Sequence, residues 1–312
     1  MAGGAIAKAL AGDKGIRPIS WTESMDERDL QTRGLRFRIR EAGEGPLVLC
    51  MHGYPDTAHT WDDLLPRLAD AGYHAVAPWM RGYPPTEIPA NGDFSVPALG
   101  QDVLDLADAL GAETCTLVGH DWGASTVYQA TGMAPERVDK LVTVAIPPLR
   151  ATTPSPALAW SFRHFVFYAL PRLPERQLRA NGWQGVRDIC KRWSPSWTIP
   201  DDEFAHIVAA FEAPGGLRAA LGYYRAFMGG QLGASGRAMR SIQGKRISVP
   251  TMLIYGDEDV AAPLFAGPKV DLGRCFTDGT PFEVVRITGG GHFVHREKIE
   301  ETGDAVLRWL TG

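Results

Sequence analysis

Leu35, Phe37 and Ile39 alternate with Arg36, Arg38 and Arg40, the pattern of a half-exposed strand. After a turn at 43–46, residues 47–51 are continuously apolar, which suits a strand buried on both faces. Helical spacing follows at Trp61, Leu64, Leu65 and Leu68 within residues 61–71, and residues 74–78 predict the next strand. Residues 96–110 carry apolar side chains at helical intervals up to a stop signal at Gly111. A β-rich run at 115–118 and a helix-compatible run at 124–130 come next, then a buried strand at 141–146 closed by Pro147-Pro148.

Strands alternating with amphipathic helices place the chain in the α/β class, with a mainly parallel sheet covered by helices. The pattern changes between residues 149 and 246, which are rich in Trp, Tyr, Phe, Pro and Arg and show helical runs but no clear strand. The alternation resumes at 251–255 and 282–287 and ends in a helix around 300–310. We therefore expect one core domain, 1–148 with 247–312, and a helical cap, 149–246, inserted in it. Two independent domains are the alternative, but the middle segment lacks linker-like flanks.

Composition narrows the function classes. The 312 residues are 45% apolar and 22% charged, with a net charge of −4 and no Lys/Arg cluster, so nothing marks a nucleic-acid binder. The four cysteines, Cys50, Cys115, Cys190 and Cys275, show neither CxxC pairing nor metal-ligand spacing and read as buried free thiols. Residues 1–15 are interrupted by Lys8, Asp13 and Lys14 and hold no apolar stretch of signal-peptide length. No apolar run is long enough to span a bilayer. The expectation is a soluble cytoplasmic protein with no membrane partner; its oligomeric state is not encoded in any pattern here.

The chemistry centres on Leu117-Val118-Gly119-His120-Asp121-Trp122-Gly123. Gly-x-Asp-x-Gly between a strand and a helix has the layout of a nucleophile elbow, with aspartate where serine usually stands. The bland reading is a helix N-cap, a role that Asp fills well. Two further stretches fall after strands of the same sheet: Tyr255-Gly256-Asp257-Glu258-Asp259 and Gly289-Gly290-Gly291-His292-Phe293. Taken alone, the acids read as a solvated loop and the histidine as structural. Together they give a nucleophile, an acid and a base in chain order at the strand ends where α/β sheets place ligands.

These residues carry a resemblance. Over residues 30–312 the chain resembles α/β-hydrolase-fold epoxide hydrolases, in the Asp-nucleophile branch that also holds haloalkane and haloacetate dehalogenases. The resemblance rests on His52-Gly53-Tyr54-Pro55, the Asp121 elbow, the 256–259 loop, Gly291-His292-Phe293 and Tyr223-Tyr224-Arg225. It implies Asp121 as nucleophile, His292 as general base and Asp259 as the acid behind it, with Asp257 and Glu258 as competitors on sequence alone. His295, one helical turn from His292, competes for the base. A carboxylate attacks an sp³ carbon without losing a proton, and water must then hydrolyse the resulting ester. The backbone N–H groups of Trp122 and Tyr54 are the implied oxyanion donors.

The resemblance also implies lid tyrosines that protonate the leaving alkoxide: Tyr224, and Tyr168 as its partner. Depending on the register of His164-Phe165-Val166-Phe167-Tyr168, Phe167 takes that position instead. Both tyrosines also read as aromatic packing of a helical lid. Trp122, Phe165, Phe167 and Tyr223 are expected to line an apolar pocket, and neither metal nor cofactor is needed. Trp79 stands where relatives usually carry Asp, which reads as altered loop support or pocket lining. Two other readings stand beside this one. A dehalogenase would use the same machinery, with the Trp122 N–H on halide, and His164 followed by an aromatic is similar to the haloacetate dehalogenase lid, although that family's elbow usually carries Arg at the Trp122 position. A non-catalytic α/β-hydrolase scaffold would keep the pocket alone.

Overall fold

A computed structural model describes residues 25–151, 160–267 and 270–312, so residues 1–15 lie outside the described part. Among the described residues the strands are β1 (Asp26–Gln31), β2 (Arg36–Ala42), β3 (Leu47–Met51), β4 (His74–Pro78), β5 (Cys115–His120), β6 (Val138–Val144), β7 (Thr251–Gly256) and β8 (Phe282–Ile287). They form one sheet in the order β1-β2-β4-β3-β5-β6-β7-β8. β1 and β2 run antiparallel to their neighbours, and every pairing from β4 through β8 is parallel. β3 and β5, buried at every position, are adjacent near the centre. The sequence pattern misses β1 because its charged, mostly exposed residues show no apolar alternation. Such charge is how an outer strand avoids pairing with another chain.

The helices follow from the same alternation. α1 (Leu64–Asp70) is preceded by a 3₁₀ turn, Ala58–Trp61, so the helix predicted over 61–71 begins three residues later than expected. α2 (Val96–Ala109) packs on α3 (Trp122–Met133), which springs directly from the end of β5. Between β6 and β7 the described residues form α4 (Arg163–Ala169), α5 (Leu173–Trp193), α6 (Asp201–Glu212), α7 (Gly216–Gly230) and α8 (Ala234–Gln243), and no strand. α5 breaks at Ala180–Trp183, where Asn181, Gly182 and Trp183 take positive φ. α4 and α6 both pack on α7. Two short helices, α9 (Pro263–Ala266) and α10 (Val294–Glu297), precede α11 (Ile299–Thr311), which closes the chain against α1. Among the described residues no helix is long and apolar enough to cross a membrane.

Candidate active site

β5 ends at His120 and α3 begins at Trp122, so a single residue, Asp121, makes the whole turn. Its backbone is held at φ 51° and ψ −116°, a region that non-glycine residues rarely occupy. Such strain persists only where the surroundings enforce it, and two glycines explain how they do so. A Cβ on Gly123 would lie 2.0 Å from the Met51 carbonyl oxygen, and one on Gly53 would lie 2.4 Å from the Asp121 Cβ. β3, the 52–55 loop and the start of α3 therefore close around the aspartate. The Tyr54 N–H donates to Asp121 Oδ1 at 2.8 Å. Trp122 opens α3, so its N–H is among the helix's unpaired first donors, one residue from the same carboxylate.

The acid and base arrive from the ends of β7 and β8. His292 Nδ1 lies 2.9 Å from Asp259 Oδ2, and Nε2 lies 3.6 Å from Asp121 Oδ2. Asp259 is fixed in turn, its Oδ1 accepting from the Ala261 N–H at 2.8 Å. Of the competing acids, Asp257 pairs with Arg286 at 2.8 Å and accepts from the Gly289 N–H, while Glu258 is exposed. His295 is tied to Thr60 Oγ1 at 2.6 Å and lies beneath Trp61, away from the carboxylate pair. Burial opposes charge on His292, but the Asp259 and Asp121 carboxylates outweigh it and raise the imidazole to about 10. Burial likewise opposes charge on Asp121, and the neighbouring His292 more than compensates, holding the carboxyl below its usual range. The two groups form a buried imidazolium–carboxylate pair.

The His292 loop is anchored to the end of α5. The His292 N–H donates to the Trp193 carbonyl, and Ser194 Oγ both donates to Glu297 and accepts from the Phe293 N–H. Glu297 also accepts from the Gly291 N–H. Sequence reading missed Ser194 and Glu297; nothing in their spacing connects them, because the contact joins the end of one helix to a loop about a hundred residues later. His120 Nε2 lies 3.0 Å from the His292 carbonyl oxygen.

Aromatic rings wall the space beside Asp121. Tyr224 is fully buried, 5.1 Å from Trp122, 4.9 Å from Phe165 and 5.0 Å from Tyr168, ring centre to ring centre. The Tyr224 hydroxyl and Trp122 Nε1 face each other short of hydrogen-bond geometry, so neither has a well-formed partner among the described residues. Burial first, and then the Asp121 charge, raise Tyr224 well above the ordinary phenol value. Tyr168 is buried against Tyr54. Phe165 packs on Trp122 and Phe227, whereas Phe167 is half-buried and meets Tyr168. Tyr223 stands behind Trp122 with its hydroxyl donating to the Arg81 carbonyl at 2.7 Å. Trp79 is buried edge-on to His59.

Comparison with known proteins shows the family. Residues 46–181 match the family model of the alpha/beta hydrolase fold. The chain is 31% identical to epoxide hydrolase A of Mycobacterium tuberculosis, covering 92% of this chain and 97% of that one. It is 29% identical to an epoxide hydrolase of Caballeronia sordidicola, over 93% of this chain and 94% of the relative. Among solved structures, epoxide hydrolase A from Mycobacterium thermoresistibile superposes with a TM-score of 0.78 at 25% identity, covering 93% of this chain and 99% of that one.

Proposed function

The chain belongs to the epoxide hydrolases of the α/β-hydrolase fold, hydrolases acting on ether bonds, and from that premise we propose that it converts an apolar epoxide to a vicinal diol through an ester on Asp121. The observation that carries this reading is His292 set between Asp259 and Asp121, with the Tyr54 N–H already on the Asp121 carboxylate. Asp121 attacks a ring carbon, the carbon–oxygen bond breaks, and the electron pair goes to the departing oxygen. Tyr224 supplies the proton that this oxygen needs and is left as phenolate. Esterification removes one of the two negative charges that hold His292 protonated. The imidazolium then returns a proton to Tyr224 and becomes the neutral base that activates water. Water adds to the Asp121 carbonyl, whose oxyanion is met by the N–H groups of Tyr54 and Trp122. Collapse releases the diol, and the proton taken from water restores the imidazolium. Asp259 fixes the ring's tautomer and steadies its charge.

The walls of Trp122, Phe165 and Phe227 favour aryl or alkyl substrates over charged ones. A second reading, displacement of halide by the same carboxylate, is favoured by Trp122 Nε1, a buried donor without a partner among the described residues. Intact mass of a His292→Gln variant mixed with styrene oxide separates the two. A gain equal to the whole epoxide, mapped to Asp121, is the expected result. A gain only from organohalides, with halide released, supports the second reading. No adduct from either leaves a binding scaffold.

A further inference from the structure

We propose that the outer surface of the helices between β6 and β7, formed by α4, α7, α8 and the first half of α5, seats on an anionic lipid bilayer. α4 has two sides. Phe165 and Tyr168 pack inward, against Trp122 and Tyr224. Val166, between them, is 59% exposed, and Leu170, one turn later, is exposed as well. Leu173 continues the stripe at the start of α5 with 51% exposure. Trp160 extends it in the other direction: its ring is exposed and lies under the Arg163 guanidinium, 4.4 Å from centre to Cζ. The end of α7 packs beside α4 through Phe165 and Phe227, and just beyond it Leu232 is 91% exposed. Single apolar side chains are ordinary on any surface, whereas a stripe along one helix marks a contact.

Charge identifies what covers the stripe. Residues 149–180 and 213–246 hold eleven Lys and Arg and one acid, Glu175, whereas the rest of the chain holds 21 basic and 35 acidic residues. Glu175 is itself paired with Arg225. The basic residues are scattered along the sequence, and the packing of α4 and α8 on α7 gathers them. Arg172 and Arg176 flank Leu173, and Arg237 donates to the Leu232 carbonyl. Arg172 and Arg218 line one groove of about 1120 Å³ beside the end of α4. Arg172, Arg176 and Arg218 are exposed and have no carboxylate partner among the described residues. An apolar stripe between unpaired arginines is the pattern of a helix lying in anionic headgroups, a contact that needs no spanning segment. The docking stands apart from the epoxide reading. On that reading it gains a use, since lipid that dissolves an apolar substrate then lies on the far side of the helix that carries Phe165 in the site wall.

Co-flotation of the full chain with vesicles tests this. The net charge of −4 opposes attraction to an anionic surface, so binding there reports a local basic face. The parent should float at low salt with vesicles of phosphatidylcholine and phosphatidylglycerol. It should bind pure phosphatidylcholine about 10-fold more weakly or less, and leave the anionic vesicles in about 0.5 M salt. Val166→Glu with Leu173→Glu, and separately Arg172→Glu with Arg176→Glu, should each weaken binding about 10-fold or more. Thermal unfolding should stay at the parent's temperature in both, because all four side chains are exposed. A parent that does not float, equal affinity for neutral vesicles, or binding that survives both double variants overturns the proposal. So does a parent that stays off vesicles and self-associates, with the oligomer dissociating in the Val166→Glu, Leu173→Glu protein; the stripe then belongs to a second copy of the chain. The vesicles carry no epoxide, so each of these outcomes is read independently of whether Asp121 is alkylated.

Discussion

His292 Nε2 stands 3.6 Å from Asp121 Oδ2, near enough for strong attraction and too far for a hydrogen bond. The imidazole is raised to about 10 because two carboxylates flank it, and one of them is consumed when the ester forms. Histidine in the ester should therefore titrate lower than in the resting enzyme. Single-turnover decay of the ester should rise with pH through a midpoint well below the one that ¹⁵N NMR gives for His292 in free protein. Equal midpoints would show that Asp121 does not set the imidazole's charge.

The same pair predicts a pH-dependent stability. A histidine whose folded pKa exceeds its unfolded value stabilises the fold below the unfolded pKa, and that contribution disappears as pH rises through the folded one. For His292 the window runs from the ordinary 6.5 to about 10. Chemical denaturation across this range should show stability falling with pH in the parent and a flatter profile in His292→Gln. Parallel profiles would contradict the raised pKa.

Asp259 and Asp257 are two residues apart yet face different partners. Asp259 holds His292, while Asp257 pairs with Arg286, whose side chain is 62% exposed. Asp259→Asn should lower steady-state turnover about 10²- to 10⁴-fold, with the ester accumulating because the base has lost its orienting charge. Asp257→Asn weakens a screened surface pair and should leave both stability and turnover near the parent's. Intact mass and initial rates check both, and a larger activity loss at Asp257 would reassign the acid.

How much of this was legible in the sequence differs by element. β3, β4 and β7 stand where apolar runs put them, since burial on both faces leaves an uninterrupted pattern, and β8 stands at its predicted place although only Ile287 is buried in it. β1 left no such trace, its partner contacts being made mainly by backbone and by ion pairs such as Arg36 with Asp29. The order of Asp121, Asp259 and His292 was readable because each follows a strand, and topology brings strand ends together. The choice among Asp257, Glu258 and Asp259 was not readable, because it depends on which way each side chain leaves a four-residue turn.

The elbow can be broken without touching its chemistry. In Gly123→Ala a Cβ would meet the Met51 carbonyl at 2.0 Å, and a backbone oxygen cannot swing aside as a flexible side chain can. β3 and α3 would have to separate, at a cost of about 1–3 kcal/mol or more. Asp121 would leave the Tyr54 N–H as they did so. Thermal unfolding should report the first effect, and loss of Asp121 alkylation the second. An alanine variant of parental stability and rate would mean that the elbow is looser than this geometry.

Tyr224 offers the sharpest contrast between stability and function. Its hydroxyl is buried without a well-formed hydrogen bond among the described residues, an arrangement that costs a fold about 1–3 kcal/mol relative to a satisfied group. Removing it relieves that cost, and Phe fills the same aromatic cage of Trp122, Phe165 and Tyr168. Tyr224→Phe should therefore unfold at the parent's temperature or higher. Alkylation of Asp121 by an epoxide should nevertheless fall about 10²- to 10⁴-fold, because the departing oxygen loses its proton donor. A variant that is destabilised and still alkylates normally would make Tyr224 a packing residue, and the proton would have to come from elsewhere in the lid. A variant that is stable and slow fits a hydroxyl kept for the reaction at the expense of the fold.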